Sequence, residues 1–163
     1  MHPNTTSSVN NIFWTETMAT KYKDSGIPWI GMIPEDWEVK RLKEIFSESK
    51  EKSIDGIGNL LSLSQYTGVK LKNETELAGT HEAESNEGYN IVHQGQLVMN
   101  IMLAWNGSYA LSDYEGLISP AYCVFNFNIE CVKRYFHYLL RTSGYPSAFK
   151  TMSRGIIDSR LRL

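Results

Sequence analysis

Two cysteines in 163 residues, Cys123 and Cys131, are too few for a disulfide framework or a four-thiolate zinc site. Both are expected to stay reduced inside a cell, with one bridge as the alternative. Long apolar runs are missing too: no stretch approaches the ~18 residues of a membrane span. The first 20 residues have no basic start followed by an apolar segment, which excludes a secretory signal. There is no excess charge of one sign. With 16 basic and 18 acidic side chains the net charge is −2, which excludes a uniformly basic nucleic-acid binder. No Gly-rich phosphate loop, G-x-G-x-x-G fingerprint or G-x-S-x-G elbow occurs.

What is present is a globular composition, 42% apolar and 21% charged. A chain of this length is sufficient for one domain and buries about two thirds of its unfolded surface without staples. The expectation is a soluble, cytoplasmic protein with a polar, disordered leader over 1–20 and one domain over 21–163. Met18 is an alternative start, because the structured pattern begins just after it.

The balanced total hides an asymmetry. Residues 1–72 carry nine basic and nine acidic side chains, residues 73–131 none and eight, and residues 132–163 seven and one. The last segment holds Lys133, Arg134, Arg141, Lys150, Arg154, Arg160 and Arg162. Such a stripe either attracts phosphates or pairs with the acidic middle of the chain.

Lys21 to Trp37 contains Gly26, Pro28, Gly31 and Pro34, too many breakers for a helix. It reads as an extended arm anchored on a core by Trp29, Ile30, Ile33 and Trp37. From Glu38 to Lys52 the spacing of Val39, Leu42, Ile45 and Phe46 predicts a helix, ended by Gly56 and Gly58. Alternation predicts a strand over Asn59–Tyr66, and residues 73–88 read as an acidic surface loop. Tyr89–Met102 reads as two strands about Gly95. Asn106-Gly107 signals a tight turn between Leu103–Trp105 and Ser108–Leu111. Gly116 to Phe127 gives a further strand, Ala121–Phe127, kinked at its start by Pro120. Val132–Arg141 is helical, Gly144 closes it, and Pro146 opens a short helix reaching Ser153. This is an α+β pattern, β-rich with two or three flanking helices.

No catalytic constellation stands out. His2, His81, His93 and His137 lack metal-ligand spacing, and His93 reads as a solvent-facing or satisfied histidine. Asp24 with Glu38-Val39-Lys40 loosely mimics a metal-dependent nuclease, but Glu38 and Lys40 fall at a predicted helix start, where Glu38 suits the dipole. Richer chemistry lies in the turns. Trp105-Asn106-Gly107-Ser108-Tyr109 and Gln65-Tyr66-Thr67-Gly68-Val69-Lys70 mix amides, hydroxyls, rings and a cation suited to base edges and phosphates, or else form ordinary hairpins. Arg154 and Arg160 flank Gly155 on an apparent loop, where they contact phosphate or guanine, or pair with Asp158.

Three blocks together resemble the specificity subunit of type I restriction–modification systems: KYKDSGIPWIGMIPEDWEVKRL (21–42), MLAWNGSYALSDYEGLISPAYCVF (102–125) and YLLRTSGYPSAFKTMSRGIIDSRLRL (138–163). The resemblance covers 21–163. It implies a target recognition domain that reads one half of a split DNA site and has no catalysis or cofactor of its own. S-adenosylmethionine, ATP and Mg would belong to the partner methyltransferase and restriction subunits. The sequence departs from the family in stopping where a coiled-coil spacer helix would begin, as in a half-subunit or truncated form, which puts methyltransferase docking in doubt. Judged by turn polarity alone, Lys70, Lys150, Arg154 and Arg160 are expected to meet phosphates. Gln65, Tyr66, Trp105, Asn106, Ser108 and Tyr109 are expected to meet bases. The alternative is a protein-interaction module that modulates intact subunits, with Trp29 and Trp37 as its contact surface.

Overall fold

A computed structural model describes residues 21–72 and 85–152. The expected leader, most of the acidic loop, and Arg154 and Arg160 lie outside the described residues. The chain divides into two compact units, Met1–Val39 and Lys40–Leu163, at a boundary the sequence pattern does not announce.

In the first unit the breakers make a hairpin rather than an extended arm. β1 (Tyr22–Asp24) pairs antiparallel with β2 (Met32–Pro34), Lys23 opposite Ile33. The connection is held by the Asp24 carboxylate, which accepts the Gly26 N–H at 2.8 Å, and by the Gly31 N–H, which donates to the Ile27 carbonyl at 3.1 Å. Strand alternation then decides exposure: Ile33 is buried and Met32 is not. Trp29 and Trp37, expected as core anchors, are 54% and 43% exposed.

The second unit opens with α1 (Leu42–Ile45), a single turn in which Glu44 accepts the Arg41 N–H at 2.7 Å. The helix expected over 38–52 stops there, and Phe46–Ser49 is strand β3. Ladder bonds to a distant strand outweigh a local helical spacing of only four apolar residues. The hairpin β4 (Leu61–Ser64) and β5 (Gly68–Leu71) follows. Next come β6 (Asn90–Val92), β7 (Leu97–Met99), a 3-10 turn at Ala104–Asn106 and β8 (Tyr109–Leu111). The chain continues through β9 (Gly116–Ile118), β10 (Cys123–Phe127), α2 (Lys133–Leu139) and α3 (Gly144–Met152).

Strands β3, β10, β7 and β8 form one antiparallel sheet in that order, while β4–β5 and β6–β9 are separate pairs. The two strands expected about Gly95 exist, but they pair elsewhere, β6 with β9 and β7 with β8 and β10. The strand expected over Ala121–Phe127 is β10, and Gly116–Ile118, on the other side of Pro120, forms the separate strand β9 in a different sheet. Gly144 begins α3 instead of only closing α2, and Pro146 sits in its first turn as expected. The fold is mixed, mostly sheet with three α-helices among the described residues, in keeping with the α+β class.

Within the four-stranded sheet β7 and β8 are buried on both sides, which explains why they are apolar at every position. One face carries Leu97, Met99, Tyr109, Leu111 and Phe125 against Phe136 and Leu140 of the α2 region and Phe149 of α3. The opposite face carries Val98, Ala110 and Val124 against Leu61, Val69, Val92 and Ile118 of the two hairpin-like pairs. Tyr109 lies fully buried, its hydroxyl donating to the Leu140 carbonyl at the end of α2. Burial pushes that phenol up to about 12, so it stays a donor.

Two substitutions test this packing. Tyr109→Phe leaves a helix-end carbonyl without its buried donor and should cost about 1–2 kcal/mol in urea denaturation. Gly116→Ala should cost about 3 kcal/mol or more, because its Cβ would stand 2.3 Å from the Asn59 carbonyl oxygen, which is fixed by the Leu117 N–H.

Candidate nucleic-acid interface

The β4–β5 turn and the loop between β7 and β8 are brought together by tertiary packing. Gly68 opens β5 with a φ of 73° and lies so close to β8 that a Cβ there would meet the Ala110 Cβ at 3.4 Å. Before it, the Ser64 hydroxyl accepts the Tyr66 N–H at 3.2 Å, turning the chain so that Tyr66 stands 87% exposed. Lys70 is exposed on β5 opposite Ser62.

The facing loop is not the tight hairpin expected at Asn106-Gly107. It runs from Asn100, whose N–H donates to the Ser108 carbonyl at 2.8 Å, through the 3-10 turn. Gly107 ends that turn in the left-handed conformation, φ 79°, its N–H donating to the Ala104 carbonyl at 3.0 Å. Ala104 is fully buried, and α3 packs against the turn. A helix seated on the loop accounts for a longer connection than the dipeptide signals. The Asn106 amide nitrogen donates to Gln65 Oε1, tying the two turns together.

Of the ten expected residues, the structure brings Gln65, Tyr66 and Asn106 together and leaves Lys70 exposed on the same hairpin. Lys150 is exposed on α3, and Trp105 is half-buried with its indole N–H lacking a hydrogen-bond partner among the described residues. Ser108 and Tyr109 are corrections. Both are buried, Tyr109 within β8, which is covered on two faces, and Ser108 just before it, so neither is presented to a groove. Arg154 and Arg160 lie outside the described residues.

The basic segment is partly engaged within the fold. Arg134 pairs with Asp113 at 3.0 Å, and the Lys133 ammonium lies 5.6 Å from the Phe127 ring centre. The Arg141 guanidinium sits 5.6 Å from the Tyr109 ring centre and 2.9 Å from His137 Nε2. Burial first, then Arg141 and Arg134, hold His137 below the ordinary histidine range, and its Nδ1 lies 3.3 Å from the Leu111 N–H. From the sequence, His137 is judged only by its lack of metal-ligand spacing; its four-residue spacing to Arg141, just past α2, is the available signal.

His93 Nε2 lies 2.8 Å from Glu51. Cys123 and Cys131 are free, and burial together with Glu48 pushes Cys123 up to about 11, leaving an unreactive thiol. The Asp24 carboxylate accepts the Gly26 N–H of its own turn, and Glu44, not Glu38, stands in the first turn of α1. Among the described residues no group of three His, Cys, Asp or Glu side chains is placed to hold a metal ion. No helix among them is long and apolar enough to cross a membrane.

Neither a protein-family model nor a curated protein matches the sequence.

Because the fold lowers the affinity of His137 for a proton, unfolding takes up a proton once the pH falls below the ordinary histidine range, and stability drops with pH there. His137→Asn keeps an acceptor for the Leu111 N–H without titrating. Between pH 8 and pH 5 the stability of the wild type should fall relative to this variant, as read by urea midpoints.

Proposed function

We propose that the chain is a sequence-specific DNA-binding domain without catalysis of its own, of the kind that serves as a target recognition domain in type I specificity subunits. The observation that carries this reading is the Asn106–Gln65 hydrogen bond. It holds two polar turns, one bearing the exposed Tyr66, as a single surface whose amides and ring suit base edges. Lys70 and Lys150, both exposed, supply charge for phosphates, with Arg154 and Arg160 as further candidates in the basic tail. Trp105 belongs to the same loop as an aromatic contact. In this reading the domain directs methyltransferase and restriction subunits to one half of a split site, in the cytoplasm, and those subunits supply S-adenosylmethionine, ATP and Mg chemistry.

The test is selection of bound duplexes from a random pool, followed by anisotropy titration over a range of salt. Lys70→Ala and Lys150→Ala should each lower the salt slope by about one without changing sequence preference. A Gln65→Ala, Asn106→Ala double change should instead relax preference at one or two base pairs, by about 1–3 kcal/mol each. An unselected pool together with unchanged slopes would sink the reading.

A further inference from the structure

On the β6–β9 pair the chain builds a second surface of opposite character. Val92 and Ile118 pack into the core, while Ile91, half-buried, and Leu117, 4% exposed, form part of the floor of an open groove of about 500 Å³. Its wall is the 53–58 loop, which projects Ile54 and Ile57 into solvent at 92% and 80% exposure.

This loop is firmly built. The Ser53 hydroxyl accepts the Gly56 N–H at 2.9 Å, and the Asp55 carboxylate accepts the Ile57 N–H at 3.0 Å. Gly56, at φ 69°, lies against the backbone of Asn86 and Glu87 so closely that a Cβ would come within 2.8 Å of both. Two neighbouring isoleucines on a loop held by these bonds bury little of their apolar surface within the fold and offer it to a partner.

The rim selects the partner. Glu51, Asp55 and Glu115 outnumber Lys52 and His93 around the groove, and His93 stands between Glu51 at 2.8 Å and Glu115 at 4.0 Å. Backbone donation by Ile57 and the Ser53 hydroxyl lower the Asp55 carboxyl below its ordinary range, so it stays charged. A phosphate backbone is repelled by such a rim. Strand addition is also closed off. β6 is already edged by residues 51–53, through the Ile91 N–H to the Glu51 carbonyl and the Ser53 N–H to the Tyr89 carbonyl. β9 is edged by Asn59 through the Leu117 N–H. Recognition here therefore uses side chains, with apolar groups seated between the isoleucines and cations at the carboxylates.

We infer that this groove docks a basic, amphipathic peptide segment of a partner protein, on a surface separate from the turns assigned to DNA. The probe is a fluorescein-labelled 14-residue peptide of leucine and lysine with leucines on one helical face, titrated into the full chain. Controls are the same composition with leucines scattered, and the facial peptide with every lysine replaced by glutamate. The facial lysine peptide should bind best, more weakly as salt rises. Ile54→Ser with Ile57→Ser should weaken it at least tenfold while leaving the thermal midpoint and duplex DNA affinity unchanged. Glu115→Gln should weaken it two- to fourfold and flatten the salt dependence. The inference is overturned if the wild type does not bind the facial peptide, if the glutamate peptide binds as well, or if the double isoleucine variant binds like the wild type. Loss of duplex affinity in that variant would assign the face to nucleic acid instead. Sedimentation velocity showing a wild-type dimer and a monomeric variant would assign it to a second copy, and either result also overturns it.

Discussion

Two-sided burial of the strands β7 and β8 is the constraint on which the rest of the second unit depends. A strand covered on both faces must be apolar at successive positions, and its backbone groups must be satisfied within the sheet. Leu97-Val98-Met99 and Tyr109-Ala110-Leu111 meet the first demand, and pairing with β10 and with each other meets the second. Both faces then require covers. The helices supply one, and the β4–β5 and β6–β9 pairs supply the other.

The covers determine what the surface offers. Seating β4–β5 over β8 brings Gln65 to Asn106, although 41 residues separate them in the chain. Seating α2 on the other face draws Arg141 over Tyr109 and next to His137, and Arg134 onto Asp113. Part of the basic stripe is thereby used in holding the domain together. The domain thus carries two distinct faces, a polar pair of turns with exposed lysines nearby and an apolar groove with an acidic rim.

Much of the element order is legible from local pattern. The alternation in Leu61–Ser64, the apolar spacing in Val132–Arg141 and Pro146 near a helix start all correspond to structure at about the expected positions. The failures share one cause. Phe46–Ser49 has helical spacing behind it and a strand partner tens of residues ahead, visible only once Phe127 stands opposite Phe46. Tyr109 and Ser108 look like surface turn residues next to Asn106-Gly107, but long-range pairing places them in the interior. The clustering of Gln65, Tyr66 and Asn106 had a compositional signal in each turn and none for their meeting.

By itself the sequence determined the broad α+β class, the position of several turns and the chemical types those turns carry, because local steric preference and hydrophobic period act over a few residues. Tertiary structure alone decided which strands pair, which turn residues remain in water, and that Ile54 and Ile57 stand exposed above an acidic rim. Those outcomes depend on contacts between residues tens of positions apart, where the free energy of covering both faces of one sheet overrides what any short segment prefers.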